Sequence, residues 1–330
     1  MPFKDGKELK RAYQRAKRDG YAFVASNIAE PNTLIGLLEG SQERRSDLVL
    51  QISFSAASFA GGGKPIPGLR VMAYYIKELA RNYQIGAFLN LDHMTKAHRD
   101  FIETAIEEDL TSSIMIDASK ESFEDNVRIS REVAELAHQR GTLVEAELGV
   151  IKGVEDEIVS DEAFYTVPAE AVEFVRKTGI DLLAISIGTQ HGVSKGKDIK
   201  LRLDIAAQVN EALKEHDLEI PLVLHGTSGL LPEQVRRVIG YGICKLNKDT
   251  HYQYEFARTA HDFYRDHSQA ILPPEGIEIS TDDIFGIEGW SPVKNAFDPR
   301  VVSQRIRERI KATVIELIDQ AGSGGKSLYI

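Results

Sequence analysis

The sequence contains a single cysteine, no long apolar run and no excess of positive charge. Cys244 is alone among 330 residues, so no internal disulfide can form, a thiolate-rich structural zinc site is excluded, and a reducing cytoplasm is the expected location. Nowhere do about 18 uncharged apolar residues occur together, and the charged residues 1–18 lack the apolar region of a signal peptide, so we expect no membrane partner. The formal net charge of −10 disfavours nucleic acid as a partner. Any binding of phosphate groups must therefore occur in local pockets.

Eight short runs of β-branched and aliphatic residues alternate with longer amphipathic segments. Such runs are typical of buried parallel strands. The first run lacks the glycine fingerprint that usually follows the first strand of an open dinucleotide-binding sheet, so the alternation predicts an α/β fold, the (β/α)8 TIM barrel. We expect one barrel domain over residues 1–330, with a C-terminal helical extension over approximately 270–330. The predicted strands are residues 21–24, 48–52, 85–91, 113–116, 143–148, 182–187, 222–224 and 243–246.

Capping residues mark several helix ends. Ser122 precedes a periodic apolar segment that stops at Gly141, and Pro232 suits the first turn of another helix. Asp298-Pro299 opens a helix whose apolar face suits burial against the barrel or against a second subunit. The glycine-rich residues 322–325 that follow are expected to be mobile.

Three histidines, His93, His191 and His225, lie at the ends of the third, sixth and seventh predicted strands. The carboxyl ends of parallel strands meet at one end of a barrel, so these side chains should converge. Three imidazoles with an open fourth position are typical of a catalytic zinc site. Taken singly, each histidine is better explained as a hydrogen-bonded barrel residue or as a donor to substrate, but the three together favour a metal site.

Carboxylates accompany these histidines. Asp92 directly precedes His93, so in a regular strand the two side chains point to opposite faces. If the strand ends there, Asp92 can reach the cavity for general acid–base work, or it can cap a helix that begins near Thr95. Glu145 and Glu147 share one strand face, and two inward carboxylates at a barrel mouth require a cation or donors nearby. We therefore expect Glu147 to lie close to the metal.

Several loops have the composition of functional segments. Residues 226–229 (Gly-Thr-Ser-Gly) and 247–250 (Asn-Lys-Asp-Thr) follow the seventh and eighth strands, where barrel enzymes often bind phosphate through backbone amides and helix N-termini. Residues 61–64 are equally consistent with a third phosphate loop and with a flexible turn. The acidic residues 152–169 are typical of an active-site loop, in which Glu155 is either functional or an ordinary acidic residue.

Six polar stretches, in order, resemble those of the class II, metal-dependent fructose-bisphosphate aldolases. The resemblance covers nearly the whole chain and implies a carbon–carbon lyase that binds zinc or another divalent metal, with a monovalent cation as a further candidate. It implies that His93, His191 and His225 hold the metal and that Glu147 is an alternate or nearby ligand. The matching stretches are Leu91-Asp92-His93, Ser113-Ile114-Met115-Ile116-Asp117, Glu145-Ala146-Glu147-Leu148-Gly149, Gly188-Thr189-Gln190-His191-Gly192, His225-Gly226-Thr227-Ser228-Gly229 and Lys245-Leu246-Asn247-Lys248-Asp249-Thr250.

The resemblance also implies a reaction, the reversible cleavage of fructose 1,6-bisphosphate to dihydroxyacetone phosphate and glyceraldehyde 3-phosphate through a metal-stabilised ene-diolate. Glu155 would take the proton from the carbon beside the carbonyl group, and Asp92 would exchange a proton with the aldehyde oxygen. One alternative is an aldolase for tagatose 1,6-bisphosphate or a related ketose phosphate. Another is a non-catalytic phosphosugar-binding barrel, which would need neither Asp92 nor Glu155.

Partners and substrate contacts follow from the same resemblance. The segment Asp298-Pro299-Arg300-Val301, together with the pair Glu155-Asp156, resembles the dimeric branch of the family, so a homodimer or a higher homo-oligomer is expected. The implied contacts with the sugar bisphosphate are Asn27, Ser53, Gly192, Gly226, Ser228, Asn247, Asp249 and Thr250.

Four positions depart from the commoner family pattern. Asn90 stands where histidine is frequent, Thr227 where glycine is usual, and Ser194 where tyrosine is common. Gln304 stands where the dimeric branch has a phosphate-binding arginine, and the adjacent Arg305 is the candidate to replace it. These departures concern substrate fit rather than the type of reaction.

Overall fold

Eight parallel strands form a closed barrel. The computed structural model describes residues 5–151, 153–155, 158–160, 164–192, 199–277 and 289–330, with the backbone alone at 153–155 and 158–160. The strands are β1 (Phe23–Asn27), β2 (Leu48–Ser53), β3 (Ala87–Met94), β4 (Ser113–Ile116), β5 (Leu143–Leu148), β6 (Gly153–Glu155), β7 (Ile158–Ser160), β8 (Leu182–Ile185), β9 (Leu222–Leu224) and β10 (Ile243–Lys248). Their order around the barrel is β1-β10-β9-β8-β5-β4-β3-β2, which confirms the predicted TIM barrel.

The strand bounds differ from the predicted ones where the site begins. Strand β1 ends at Asn27 and β3 at Met94, so the polar residues at these ends belong to the strands rather than to the loops after them. The acidic segment predicted as a loop contains the antiparallel pair β6 and β7.

Helices follow the barrel strands, and the predicted helix starts are confirmed. Ser122 Oγ accepts a hydrogen bond from the Asp125 amide at 3.1 Å, and Pro232 and Pro299 are the first residues of their helices. No helix in the described part of the chain has the length and apolar composition needed to cross a membrane. The helices are α1 (Gly6–Asp19), α2 (Pro31–Arg44), α3 (Phe54–Ala60), α4 (Pro65–Ala80), α5 (Arg99–Glu107), α6 (Phe123–His138), α7 (Pro168–Thr178), α8 (Leu203–Glu215), α9 (Pro232–Ile239), α10 (Thr250–Asp266), α11 (Ser268–Ile271), α12 (Lys294–Phe297) and α13 (Pro299–Ala321), with a 3-10 helix at Lys96–His98.

The barrel interior is apolar at the amino ends of the strands and polar at their carboxyl ends. Phe23, Phe88 and Leu182 form part of a buried cluster that α1 closes from below through Leu9 and Tyr13. On β5, Val144, Ala146 and Leu148 pack outward against the helices, which directs Glu145 and Glu147 inward by strand alternation. The strands thereby direct Glu145 and Glu147 toward the carboxyl end of the barrel, where enzymes of this architecture place their active sites.

The C-terminal helix and the residues after it are packed against the barrel. Helix α13 lies on α2. Ser323 is fully buried, and the Gly325 amide donates to the Arg44 carbonyl at 2.8 Å. The prediction that residues 322–325 are mobile is wrong, because hydrogen bonds to the loop before β2 hold this segment. Further along, the Ser327 hydroxyl and the Leu328 amide donate to Asp47 at 2.6 and 3.0 Å.

Candidate active site at the carboxyl ends of the barrel strands

The three predicted histidines lie together. His93 is in β3, His225 directly follows β9, and His191 is in the loop after β8. The ring centroids of His93 and His225 are 4.7 Å apart, those of His93 and His191 5.3 Å, and those of His191 and His225 6.2 Å. None of the three is more than 6% exposed. The fold therefore assembles, in a buried cluster, the side chains that the sequence predicted as metal ligands.

The backbone of β3 is irregular at His93. Its φ is 51°, in the left-handed region that residues other than glycine seldom occupy, and the pairing with β4 shifts between Leu91 and Met94. Consequently the side chains of Asp92 and His93 approach each other, and their ligand atoms and that of His225 all lie within 4.8 Å of one another. Of the two alternatives for Asp92, the structure shows the one in which it approaches the histidines, because strand alternation holds only in a regular strand.

Two ring nitrogens of the cluster are in direct contact. His93 Nε2 lies 2.9 Å from His225 Nδ1. The remote nitrogen of each ring contacts a carboxylate: His93 Nδ1 is 3.4 Å from Asp117 Oδ2, and His225 Nε2 is 2.7 Å from Glu145 Oε1. A carboxylate on the remote nitrogen fixes the orientation of an imidazole, as is usual for histidines that bind metals.

Glu147 contributes a buried carboxylate whose oxygens are not all hydrogen-bonded. Its Oε2 atom is buried without a hydrogen-bond partner in the part of the chain that the structure describes. Burial and the neighbouring negative charge of Asp117 raise the pKa of Glu147 well above its ordinary value. The ligand atoms of His93, Asp117 and Glu147 lie within 4.8 Å of one another. Imidazoles and carboxylates are ligands of zinc and similar ions, so these residues fit a divalent metal that would satisfy the Glu147 oxygen.

The surroundings shift the pKa values of His93 and His225 in opposite directions. Burial lowers the pKa of His93, but the hydrogen bond to Asp117 and the negative charge of Asp92 outweigh it and raise the pKa to about 9. For His225 burial dominates and the pKa is lowered. The 2.9 Å contact between the two ring nitrogens requires that one of them donate a proton to the other. A metal ion would take the place of that proton.

Asp92 is held by side-chain amides from three strands. Gln51 Nε2 and Asn247 Nδ2 donate to its Oδ1 at 2.6 and 3.2 Å, and Asn27 Nδ2 donates to its Oδ2 at 2.9 Å. The helix cap near this point is instead Thr95, which accepts from the Ala97 amide. Asp92 is therefore a fixed carboxylate beside the histidines, a geometry suited to exchanging a proton with a bound hydroxyl.

Sequence reasoning assigned no role to three residues of this cluster. Gln51 orients Asp92, Asp117 contacts His93, and Lys245 donates to Glu145 Oε2 at 2.7 Å. The available signal was strand alternation, since Gln51 precedes Ser53 by two residues and Lys245 precedes Asn247 by two. Asp117 ends one of the stretches that carry the family resemblance.

The predicted phosphate contacts surround the cluster on several loops. Ser53 caps α3 and accepts from the Ala56 amide at 3.2 Å, while Asp249 and Thr250 begin α10. Gly226 has φ 61°, and a Cβ there would lie 2.6 Å from the Gln190 carbonyl oxygen, so only glycine suits this close approach. Residues 61–64 form the turn between α3 and α4. The other predicted contacts are Asn27 in β1, Gly192 after His191, Ser228 after β9 and Asn247 in β10.

Two of the departures have structural explanations. Thr227 Oγ1 donates to the Asn247 carbonyl at 2.5 Å, and Lys248 Nζ donates to the Thr227 carbonyl at 2.7 Å, so the threonine ties the two predicted phosphate loops together. Asn90 lies inside the barrel and accepts a hydrogen bond from Ser113 Oγ at 2.7 Å.

The remaining predicted residues are not placed at the cluster. Arg305 is exposed on α13, 3.3 Å from Glu308, and Gln304 contacts the same glutamate. The side chain of Glu155 and all of Ser194 lie outside the described residues. The roles predicted for Arg305 and Glu155 stay predictions.

Comparison with known proteins identifies the family. The profile described as "Fructose-bisphosphate aldolase class-II" matches residues 7–326. The chain belongs to the class II fructose-bisphosphate aldolase family. This membership confirms the predicted carbon–carbon lyase, and the family is metal-dependent. The predicted resemblance to this family is confirmed over nearly the whole chain.

Relatives within the family match the chain end to end. A fructose-bisphosphate aldolase from Geobacillus stearothermophilus is 34% identical over 322 residues, which cover 97% of this chain and 98% of that protein. One from Staphylococcus epidermidis is 32% identical and covers 94% of this chain and 96% of its own. The crystal structure of the Campylobacter jejuni fructose-bisphosphate aldolase matches with a TM-score of 0.83 at 25% identity, over 99% and 97% of the two chains. The YdjI aldolase from Escherichia coli K12, with a TM-score of 0.72 at 24% identity over 99% and 100%, shares the fold.

Proposed function

We propose that this protein is a zinc-dependent aldolase that reversibly cleaves fructose 1,6-bisphosphate into dihydroxyacetone phosphate and glyceraldehyde 3-phosphate. The observation that carries the proposal is the buried cluster in which the ligand atoms of Asp92, His93 and His225 lie within 4.8 Å of one another. Membership of the class II family and the names of its relatives support the choice of substrate.

The metal is assigned to the histidine cluster. His93, His191 and His225 would hold zinc or another divalent ion, with Glu147 as an alternate or nearby ligand. When bound, such an ion acts as a Lewis acid toward the carbonyl group of the ketose phosphate. Asp117 orients the His93 ring through its contact with Nδ1.

Proton transfer is assigned to two carboxylates. In the direction of cleavage, Asp92 removes the proton of the hydroxyl that becomes the aldehyde oxygen, and in synthesis it returns that proton. Its three amide donors hold the carboxylate in place while the proton moves. Glu155 is proposed as the base that takes the proton from the carbon beside the carbonyl group in synthesis, and as the acid that returns a proton to this carbon in cleavage.

The phosphate groups are assigned to the loops around the cluster. Main-chain amides at Gly226 and Ser228 would donate N–H groups to an anion, and the N-terminus of α10 at Thr250 would add the positive end of a helix. Asn27, Ser53, Gly192, Asn247 and Asp249 complete the proposed contacts, and Arg305 is the candidate for the distal phosphate. We further propose that residues 1–330 act as one barrel domain, with an extension over about 270–330, in a homodimer or higher homo-oligomer.

The substrate is tested by assaying cleavage of fructose 1,6-bisphosphate and of its tagatose epimer side by side, with chelator treatment and zinc re-addition. Chelator-sensitive cleavage of the fructose substrate is the expected result. Faster cleavage of the epimer would move the substrate assignment to tagatose 1,6-bisphosphate. Turnover that persists after complete metal removal would contradict the metal-dependent mechanism.

The proton-transfer role is tested with Asp92→Ala. Loss of a positioned general acid–base should lower kcat by about 10²–10⁴-fold, while zinc content stays close to that of the unchanged protein. Asp100→Ala, an exposed change on α5, is the matched control and should keep full activity. Undiminished turnover in Asp92→Ala would remove Asp92 from the reaction.

A further inference from the structure

A buried ion pair lies directly beneath the histidine cluster. Lys245 Nζ is 2.7 Å from Glu145 Oε2, and both side chains are 1% exposed. The other carboxylate oxygen, Oε1, is 2.7 Å from His225 Nε2. Taking two charges out of water is costly, and apolar residues of similar size would often stabilise a barrel interior better. Neither residue has a role in the proton transfers proposed above.

The hydrogen-bonding capacity of these groups fixes the tautomer of His225. A lysine ammonium can only donate, so Glu145 Oε2 accepts from Lys245. The buried 2.7 Å contact with Oε2 pairs the Lys245 ammonium with an ionised Glu145 carboxylate. An ionised carboxylate can only accept, so Oε1 must receive its proton from His225 Nε2. A neutral imidazole with its proton on Nε2 has its lone pair on Nδ1.

That lone pair points where a metal is expected. His225 Nδ1 is the atom that lies 2.9 Å from His93 Nε2, on the side of the ring opposite Glu145. We propose that Glu145 and Lys245 are positioning residues that hold His225 as the Nε2–H tautomer and so make Nδ1 the metal-binding atom. Lys245 contributes by occupying Oε2, which leaves Oε1 for the imidazole. This inference rests on the metal site proposed above.

The decisive variant is Glu145→Gln, which keeps the size of the side chain but gives it one accepting and one donating end. Because Lys245 can only donate, the glutamine carbonyl oxygen should turn to Lys245 and the NH2 group to His225 Nε2. The proton of His225 then moves to Nδ1, in the position of the metal. We expect zinc affinity to fall about 10–100-fold, measured by competition with a chromophoric chelator.

A second change should reverse the effect. In Glu145→Gln combined with Lys245→Met, the amide is free to rotate, and its oxygen can again accept from His225 Nε2. Zinc affinity should return to within a few-fold of the original value, although one more residue has been altered. A purely structural role predicts the opposite, since two buried changes would weaken binding more than one. Asp47→Asn, a buried carboxylate at the other end of the barrel, is the control and should leave zinc affinity unchanged.

If the variants do not fold, a measurement on the unaltered protein can still show which ring nitrogen of His225 binds the metal. NMR of protein loaded with NMR-active cadmium and labelled with nitrogen isotope in histidine shows which ring nitrogen is coupled to the metal. Coupling to His225 Nδ1, with a proton on Nε2, is expected. Coupling to Nε2, or full zinc affinity in Glu145→Gln, would overturn the inference while leaving the metal site in place. Absence of any coupling to His225 would instead refute the proposed metal site, and this inference with it.

Discussion

Asp181 is a buried carboxylate at the amino end of β8, opposite to the histidine cluster. Its oxygens lie 2.8 Å from Lys10 Nζ and 2.7 Å from His138 Nε2, and the Val144 amide donates to it at 3.0 Å. Burial raises the pKa of Asp181, but the contacts with His138 and Lys10 outweigh burial and lower it. The ionised carboxylate thus links α1, α6 and β5 through hydrogen bonds at the barrel floor, which is the end of the barrel at the amino ends of the strands.

Replacing this residue should change how stability depends on pH. A carboxylate whose pKa is lower in the folded than in the unfolded chain stabilises the fold above the unfolded pKa, and this stabilisation is lost as pH falls through the folded pKa. Asp181→Asn should therefore reduce the free energy of unfolding by about 1–3 kcal/mol near neutral pH. Its deficit relative to the unchanged protein should shrink below the ordinary aspartate pKa of 3.8.

Urea unfolding of both proteins, at neutral pH and at about pH 3, measures this deficit. Asp266→Asn is the control, because Asp266 is exposed and its pairing with Arg265 should contribute little. A deficit that is the same at both pH values would show that Asp181 is not ionised in the folded protein.

Some positions of the site residues could be predicted from the sequence and others could not. The convergence of His93, His191 and His225 follows from their places at strand ends, because parallel strands in a barrel all end on one side. The approach of Asp92 to His93 was only one of two alternatives, since it depends on a left-handed φ that a histidine rarely adopts. Lys245 was missed because a lysine near a strand end is ordinarily solvated, and only its partner Glu145, distant in sequence, explains its burial.

At the scale of elements, the close packing of α2 on α13 depends on two glycines. A Cβ on Gly36 would lie 2.8 Å from the Arg307 carbonyl oxygen. A Cβ on Gly40 would clash with the Val314 side chain and lie 2.9 Å from the Lys311 carbonyl oxygen. Their spacing of four residues puts both glycines on one face of α2, where α13 can approach its backbone.

Gly40→Ala should therefore destabilise the protein. Alanine improves helix propensity by up to about 1 kcal/mol, but overpacking between two helices costs about 1–3 kcal/mol, and contact with a backbone oxygen leaves little room for adjustment. Thermal unfolding should show a lower Tm. Gly324→Ala, whose Cβ would have no neighbour closer than 3.8 Å, serves as the control. Val314→Ala in the Gly40→Ala background should recover part of the loss, and a Tm that rises in Gly40→Ala alone would contradict this account.

The helices and strands were predictable wherever a local signal marks them. The Asp298-Pro299 start and the apolar face of α13 could be seen in the sequence, and the structure confirms both. The partner of that face could not be identified from periodicity, which reports that a face is buried but not what covers it. The pair β6 and β7 was missed because its strands are only three residues each, too short for alternation to register.

For the molecule as a whole, the barrel floor is closed by segments from both ends of the described chain. Helix α1 contributes Leu9 and Tyr13, and Leu328 and Tyr329 pack against the same apolar cluster. Asp47 fastens the later segment by accepting hydrogen bonds from Ser327 and Leu328. The floor is thus separated from the histidine cluster by the apolar half of the barrel interior.

Removing residues 323–330 should therefore weaken the fold without altering the metal site. The truncation exposes part of the floor and leaves Asp47 without two of its donors, so we expect a Tm several degrees lower and increased binding of a hydrophobic dye. Zinc affinity, measured at a temperature where both proteins are folded, should be unchanged. A parallel loss of zinc affinity would show that floor and site are coupled.

The closure of the barrel between β1 and β10 has a consequence for the nascent chain. Strand β1 emerges from the ribosome early, but one of its two neighbours, β10, is made only after all the other barrel strands. The face of α2 that packs against α13 is covered even later, because α13 follows β10 in the chain. Throughout most of translation the growing polypeptide therefore carries an open sheet edge and an uncovered helix face, both of which favour aggregation. We therefore expect the nascent chain to be most prone to aggregation in that interval, before α13 leaves the exit tunnel.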